Sequence, residues 1–217
     1  MSPKKKLVEI CHKVYAKGFV TAYDGNISCR TSNNTVLISR SGICKGDVQE
    51  KDIVEIDLNG NALSGKTKIS TEHKIHLYAY QKRKEVNAVI HCHPVYATVF
   101  ALLGEGLDKH YLPEVFLTIG KVPICKYGTP STEEVSKSLE PHINRSWAML
   151  LQNHGVVALG KSLGDAYFKM EKLEHAAKII FLARSIGKPK ELSKKNISNI
   201  LNISKNTYDI IPNNKNI

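Results

Sequence analysis

The chain holds nine histidines, and two of them stand out by their spacing: His91 and His93 flank Cys92. They close an apolar run, residues 88–93, that reads as a short strand. Alternate residues on a strand share a face, so both imidazoles aim at one point while Cys92 faces the other way. Pro94 stops the strand and leaves the pair at its mouth. Two hydrogen-bonded core histidines would have the same spacing, so the pair alone does not choose between structure and metal. His154 adds weight, because it sits between two apolar runs and beside Gly155, where backbone can turn tightly and a ligand can approach. Three imidazoles with an open position form the donor set of a catalytic zinc, whereas a structural zinc site is closed by four ligands. His12, His73, His76, His110, His142 and His175 lack that context and read as surface or ordinary helix residues.

Glu72 is the next candidate, directly after Ser70-Thr71 at an expected helix start. A carboxylate beside a metal can move protons. Acids also favour first turns because of the helix dipole, and the residues themselves leave both readings standing. Three segments carry small polar side chains near turns: 24–28, 39–42 and 69–71. Each could bind an oxyanion through backbone N–H groups and a helix start, and each alone is equally a plain turn.

The surrounding elements follow from punctuation and period. Ser2-Pro3 caps a helix with Leu7, Ile10, Cys11, Val14 and Tyr15 at helical spacing, stopped by Gly18. Strands are expected at 27–30 and 36–38 around a Ser32-Asn33-Asn34 turn, and at 53–58 running into Asn59-Gly60. Ser70 or Thr71 caps a helix to about residue 81, and Pro94 opens another that ends at Gly104. A strand-like stretch covers 115–125, and Thr129-Pro130 with Glu133 starts a helix. Strands at 149–152 and 156–159 surround Asn153-His154-Gly155, a long helix fills 163–186, and a short one fits 193–203. Strands covered by helices, with much antiparallel pairing, predict an α/β layered domain.

Composition bounds the function. Apolar residues make up 42% and charged residues 24% of the 217, the values of a globular domain. No apolar run approaches the roughly 20 residues that span a bilayer, and the N-terminus lacks a signal-type apolar block, so a cytoplasmic protein without membrane contact is expected. Five cysteines, odd in number and without a CxxC pair, argue against a disulfide framework. The formal charge of +11 raises nucleic acid as a partner. The lysines are instead concentrated at the two ends or spread singly, without Arg-aromatic interleaving, and a basic balance also suits phosphorylated substrates. No nucleic-acid partner is expected.

Taken together, Gly25-Asn26-Ile27-Ser28, Ser41-Gly42, Ser70-Thr71-Glu72, His91-Cys92-His93-Pro94 and Gln152-Asn153-His154-Gly155 resemble the class II aldolase/adducin family, in order and spacing over about residues 5–186. The resemblance implies a three-layer α/β/α sandwich around a mainly antiparallel sheet. It also implies a homotetramer with active sites at subunit interfaces. The domain would span 1–187, with a basic segment, 188–217, forming a short helix and then a tail. His91, His93 and His154 would hold one zinc ion, with Glu72 as fourth ligand in the empty enzyme and acid/base once substrate displaces it. Gly25, Asn26, Ser41, Gly42, Ser70 and Thr71 would cradle a substrate phosphate. Tyr111 and, on weaker likeness, Tyr208 would match tyrosines of the family's sites. The reaction implied is cleavage of a small ketose 1-phosphate, of the L-fuculose 1-phosphate type, to dihydroxyacetone phosphate and an aldehyde. Epimerase-like members carry Asp where this chain has Glu72, which favours the aldolase. Glu114 falls near a catalytic glutamate of a related dehydratase. Dehydratase, decarboxylase and 4-epimerase reactions share the scaffold, and adducin-like modules use it without the metal histidines.

Overall fold

The computed structural model describes residues 1–63 and 69–207. Its centre is a seven-stranded sheet in the order β3-β2-β1-β4-β7-β6-β5. The strands are β1 (Asn26–Arg30), β2 (Val36–Ser39), β3 (Ile53–Ile56), β4 (Ala88–Cys92), β5 (Ile124–Cys125), β6 (Ala148–Leu151) and β7 (Gly155–Gly160). Every pairing is antiparallel except β5 with β6. The helices are α1 (Pro3–Ala16), α2 (His73–Lys82), α3 (Val95–Leu102), α4 (Pro113–Thr118), α5 (Glu133–Ser138), α6 (Leu163–Ile186) and α7 (Lys194–Thr207).

Strand alternation sorts the core into two layers. Ile27, Cys29, Ala88, Ile90, Cys92, Val156 and Ala158 face one side, where α1, α3 and α6 pack through Leu7, Val14, Phe100, Met170 and Leu173. Val36, Ile38, Val89, Val157 and Leu159 face the other, under α2 and α5 through Ile75, Leu77, Tyr80 and Leu139. Helices on both faces of a mainly antiparallel sheet make the expected three-layer α/β/α sandwich. Each fully buried Leu or Ile contributes about 1.5–3 kcal/mol from apolar burial. Cys11, Cys29, Cys92 and Cys125 are buried thiols and Cys44 is half-buried, all unpaired. Among the described residues no helix is long and apolar enough to cross a membrane.

The structure corrects the strand expected at 115–125. Its first part is α4, with Pro113 in the first turn and Glu114 beside it, and only Ile124–Cys125 is strand. The β-branched run imitates strand period, but proline fits a helix start and favours that outcome. The cap of α2 is also shifted: Glu72 takes the N-cap position, but its side chain does not cap the helix. Ser70 contributes instead by accepting from the Glu72 and His73 amides, at 3.4 Å through its hydroxyl and 3.0 Å through its carbonyl. At the other end of the chain, α7 packs on α4, and the Leu192 amide donates to the His110 carbonyl.

Candidate active site

Cross-strand register decides what meets at the end of the sheet. Asn26 stands opposite His91 in β1/β4, and His91 opposite Val157 in β4/β7. His91 ends the α2-facing stripe of β4, and its Nδ1 bonds the Val156 carbonyl at 2.9 Å. A ring nitrogen next to a carbonyl oxygen carries the hydrogen, which leaves the lone pair on Nε2. His93 lies just past the strand, tied back by its amide to the Phe19 carbonyl at 2.9 Å. His154 sits in the turn between β6 and β7, after Asn153 with φ 57°. Gly155 permits that turn, because a Cβ there would lie 2.5 Å from the His93 ring and 2.6 Å from the Cys92 carbonyl.

The three rings converge. Their centroids are 4.7 to 5.0 Å apart, and one nitrogen from each lies within 4.8 Å of the others. The Nε2 atoms of His91 and His93 are 3.1 Å apart. Two lone pairs at that distance repel unless a proton or a cation lies between them, so the donor set fits a metal ion. Glu72 completes the cluster, with one carboxylate oxygen 3.1 Å from His154 Nε2 and the other 3.5 Å from His91 Nε2. Burial acts to raise this carboxyl, but His91 and His154 in their protonated forms outweigh it by charge and hydrogen bonding and hold it well below the usual carboxylate range. Burial pushes the His93 imidazole down to about 4. The sequence-predicted cluster of His91, His93, His154 and Glu72 is therefore brought together in one place.

A cleft of about 160 Å³ opens beside it, lined by Tyr23, Asp24, Gly25, Asn26, Arg40, Ser41, Lys45, Ser70, Glu72 and His93. Gly25 has φ +70°, and a Cβ there would come within 2.6 Å of Val20 and 2.7 Å of the His91 carbonyl. Four of the six expected phosphate residues, Gly25, Asn26, Ser41 and Ser70, share this cleft. Gly42 and Thr71 neighbour it in sequence without lining it, and the Thr71 hydroxyl bonds Ser131 at 2.7 Å. Arg40 is held by Asp52 at 2.7 Å, and the buried Lys45 ammonium donates to the Ile43 carbonyl at 2.9 Å. Burial lowers the Lys45 pKa.

Tyr111 is elsewhere. It lines a separate surface pocket with Glu105 and Arg184, to which none of the three histidines contributes. Tyr208 lies outside the described residues. Glu114 is in the first turn of α4 and does not line the cleft.

Sequence reasoning missed three supports. Lys45 looked like scattered surface charge. Glu174 on α6 accepts from the Tyr96 and Ala97 amides, both at 2.9 Å, and so caps α3, which has no side-chain cap of its own. This anchors the chain directly after His93. His76, expected to be an ordinary helix residue, is fully buried and bonds Asn26 and Ser28. Its position four residues after Glu72 on one helix face was the available signal.

The family model for the class II aldolase and adducin N-terminal domain matches residues 5–181. The chain belongs to the class II aldolase and adducin family. Among its relatives is an L-fuculose phosphate aldolase of Methanococcus maripaludis, 32% identical over 179 residues, covering 82% of this chain and 96% of that protein. A 3-oxo-tetronate 4-phosphate decarboxylase of Pectobacterium atrosepticum is 34% identical over 184 residues, covering 82% and 84%. A solved L-fuculose 1-phosphate aldolase superposes with a TM-score of 0.85 at 32% identity, over 94% of this chain and 98% of that one. As a class II aldolase family member the chain keeps three histidines that could hold a metal ion.

Proposed function

We propose that the protein is a zinc-dependent aldolase that reversibly cleaves a small ketose 1-phosphate, of the L-fuculose 1-phosphate type, to dihydroxyacetone phosphate and an aldehyde. The observation that carries this reading is Glu72. Its carboxylate touches two of three converging imidazoles and opens onto a cleft lined with hydroxyls and cations.

His91, His93 and His154 would hold the metal, with Glu72 joining them when no substrate is present. Bound zinc would act as a Lewis acid for the negative charge that develops beside the substrate carbonyl as the carbon–carbon bond breaks. Gly25, Asn26, Ser41 and Ser70 would seat the phosphate, with Gly42 and Thr71 next to them in the chain, and Arg40 and Lys45 add positive charge to that wall. Holding the phosphate at a distance from the broken bond fixes orientation, which is where binding energy raises the rate. Breaking the bond leaves its electron pair on the nucleophilic carbon, and Glu72 delivers a proton there. That proton is the one the hydroxyl of the departing fragment gives up as it becomes the aldehyde carbonyl, taken up by the ionised Glu72 carboxylate and passed on to the carbon. Tyr111 and Tyr208 would reach such a site from a neighbouring subunit of a homotetramer.

A decarboxylase reading draws on the Pectobacterium atrosepticum relative. Loss of carbon dioxide leaves the same kind of charge on the remaining fragment and would use the same cluster.

Elemental analysis of purified protein, paired with assays of dihydroxyacetone phosphate release from L-fuculose 1-phosphate and carbon dioxide release from 3-oxo-tetronate 4-phosphate, separates the readings. Stoichiometric zinc and chelator-sensitive dihydroxyacetone phosphate release support the aldolase. Carbon dioxide release alone moves the assignment to the decarboxylase. No bound metal after reconstitution removes both and favours an adducin-like module.

A further inference from the structure

Behind Glu72 runs a buried polar ladder built from two matched repeats. Glu72, His76 and Tyr80 recur at every fourth residue along the start and length of α2, and Asn26 and Ser28 alternate on β1. Four helical residues advance about 6 Å and two strand residues about 6.6 Å, so the stripes interleave. Asn26 fits between Glu72 and His76, and Ser28 between His76 and Tyr80. Asn26 Nδ2 donates to Glu72 Oε2 at 2.8 Å and also faces Ser70 Oγ at 3.3 Å. Asn26 Oδ1 meets His76 Nε2, Ser28 Oγ meets His76 Nδ1 at 2.6 Å, and Ser28 Oγ meets the Tyr80 hydroxyl at 2.7 Å. Asn26, Ser28, His76 and Tyr80 are each 2% exposed or less, so these groups must satisfy one another.

The carboxylate at one end sets every proton in the ladder. Ionised Glu72 only accepts, so Asn26 must turn its N–H₂ toward it and its oxygen toward His76. That oxygen also only accepts, so His76 Nε2 must carry a hydrogen. Burial holds the imidazole neutral, its pKa pushed down to about 3, so Nδ1 is an acceptor and Ser28 donates to it. The Ser28 oxygen then accepts from Tyr80, whose phenol burial keeps protonated.

We propose that His76 is a positioning residue: as the Nε2–H tautomer it locks the Asn26 amide in the one orientation that donates to Glu72. The kinetic consequence rests on the reading of Glu72 as the acid/base; the tautomer does not. Without the His76 donor, Asn26 can turn its oxygen toward the carboxylate and release it from its place at the three histidines. Gln at position 76 offers an N–H toward Asn26 and an oxygen toward Ser28, and Leu fills similar space with neither.

Three measurements test this. Long-range ¹H–¹⁵N correlation on histidine-labelled protein, with the His76 signals assigned by their loss in H76Q, should give a neutral ring with hydrogen on Nε2. A ring with hydrogen on Nδ1, or on both nitrogens at neutral pH, overturns the proposal. In turnover of L-fuculose 1-phosphate, H76L should lower kcat about 10- to 100-fold, the range for groups that orient metal-site residues. KM should change little, and H76Q should recover most of the loss. Equal kcat in H76L and H76Q overturns the proposal. If the parent protein does not turn this substrate over, zinc titration decides: weaker affinity in H76L than in H76Q supports the ladder, and equal affinity rejects it. Should H76L fail to fold, the tautomer spectrum of the parent protein decides alone.

Discussion

Two buried polar clusters begin on α2, and they differ in how they end. At the far end of α2, two cations stack on Trp147: Arg83, 4.1 Å from its ring centroid, and Lys169 of α6, 4.0 Å from it. Arg83 spends its remaining donors on the Ser146 and Ile143 carbonyls, at 2.8 and 3.3 Å, and on Glu85 at 2.8 Å. Lys169 is paired with Asp165 at 2.7 Å. Every charge there is answered inside the cluster, so it joins α2, α6 and the approach to β6 without reaching any cleft residue. The Asn26–Ser28–His76–Tyr80 ladder is neutral, and its last donor is passed outward to Glu72. A closed polar cluster secures structure; one left open at a cleft delivers a hydrogen bond to a carboxylate that lines the cleft.

Substitutions should separate these roles. The largest effect belongs to the histidines themselves: H91A should abolish stoichiometric metal binding and activity, read by elemental analysis and turnover, and full metal content would reject His91 as a ligand. E72Q comes next. It keeps the three imidazoles, so some metal should remain, while kcat falls by about 100-fold or more, at the low end of what a lost proton-transfer group costs. Full turnover in E72Q would take Glu72 out of the mechanism.

In the closed cluster the direction reverses. W147A should lower unfolding free energy by about 2–3 kcal/mol, less than a fully buried Trp because the ring is only partly covered, with kcat per folded molecule unchanged. Urea denaturation together with active-site-normalised turnover measures both, and a kcat loss matching that of H76L would erase the contrast drawn above.

The smallest effect concerns the Arg40–Asp52 pair at the cleft wall. Burial opposes the Asp52 carboxylate, but the Arg40 hydrogen bond and the Gln49 amide outweigh it and hold its pKa below the ordinary 3.8. A folded-state pKa below the unfolded one adds stability above the unfolded value and loses it as pH falls through the folded value. R40M should therefore flatten the loss of stability below about pH 4, measured by denaturation at successive pH values; an unchanged slope would mean that Arg40 does not hold Asp52 charged.

Much of this molecule is written in local pattern. The capped first helix, the short strands around Asn26–Ser39 and the long α6 follow from Ser2-Pro3, β-strand alternation and the long helical run at 163–186. The histidine triad is legible for the same reason: His91 and His93 are two apart at the end of one strand, and His154 stands beside a glycine in a tight turn. Glu72 is legible as a carboxylate at a helix start, although its partners are not. The stretch 115–125 misled because Val115, Leu117 and Ile119 alternate as a strand would, whereas Pro113 tips its first part into helix, where Phe116 and the C-cap Ile119 are the buried residues.

What the sequence determines by itself is therefore the set of elements and the chemistry of the individual donors. Period, caps and turn residues act between neighbours in the chain, so they can be read without knowing the fold. Only the tertiary structure decides that Asn26 lies opposite His91, that Lys45 is buried at the cleft rather than solvated, and that His76 joins two residues of β1 to Glu72. The first and last of those depend on sheet register and on how α2 lies across β1, contacts between residues from 46 positions (Asn26 to Glu72) to 65 positions (Asn26 to His91, 91 − 26) apart. Such contacts leave no periodic mark in the sequence, because each partner satisfies its own local rule whether or not the other is there.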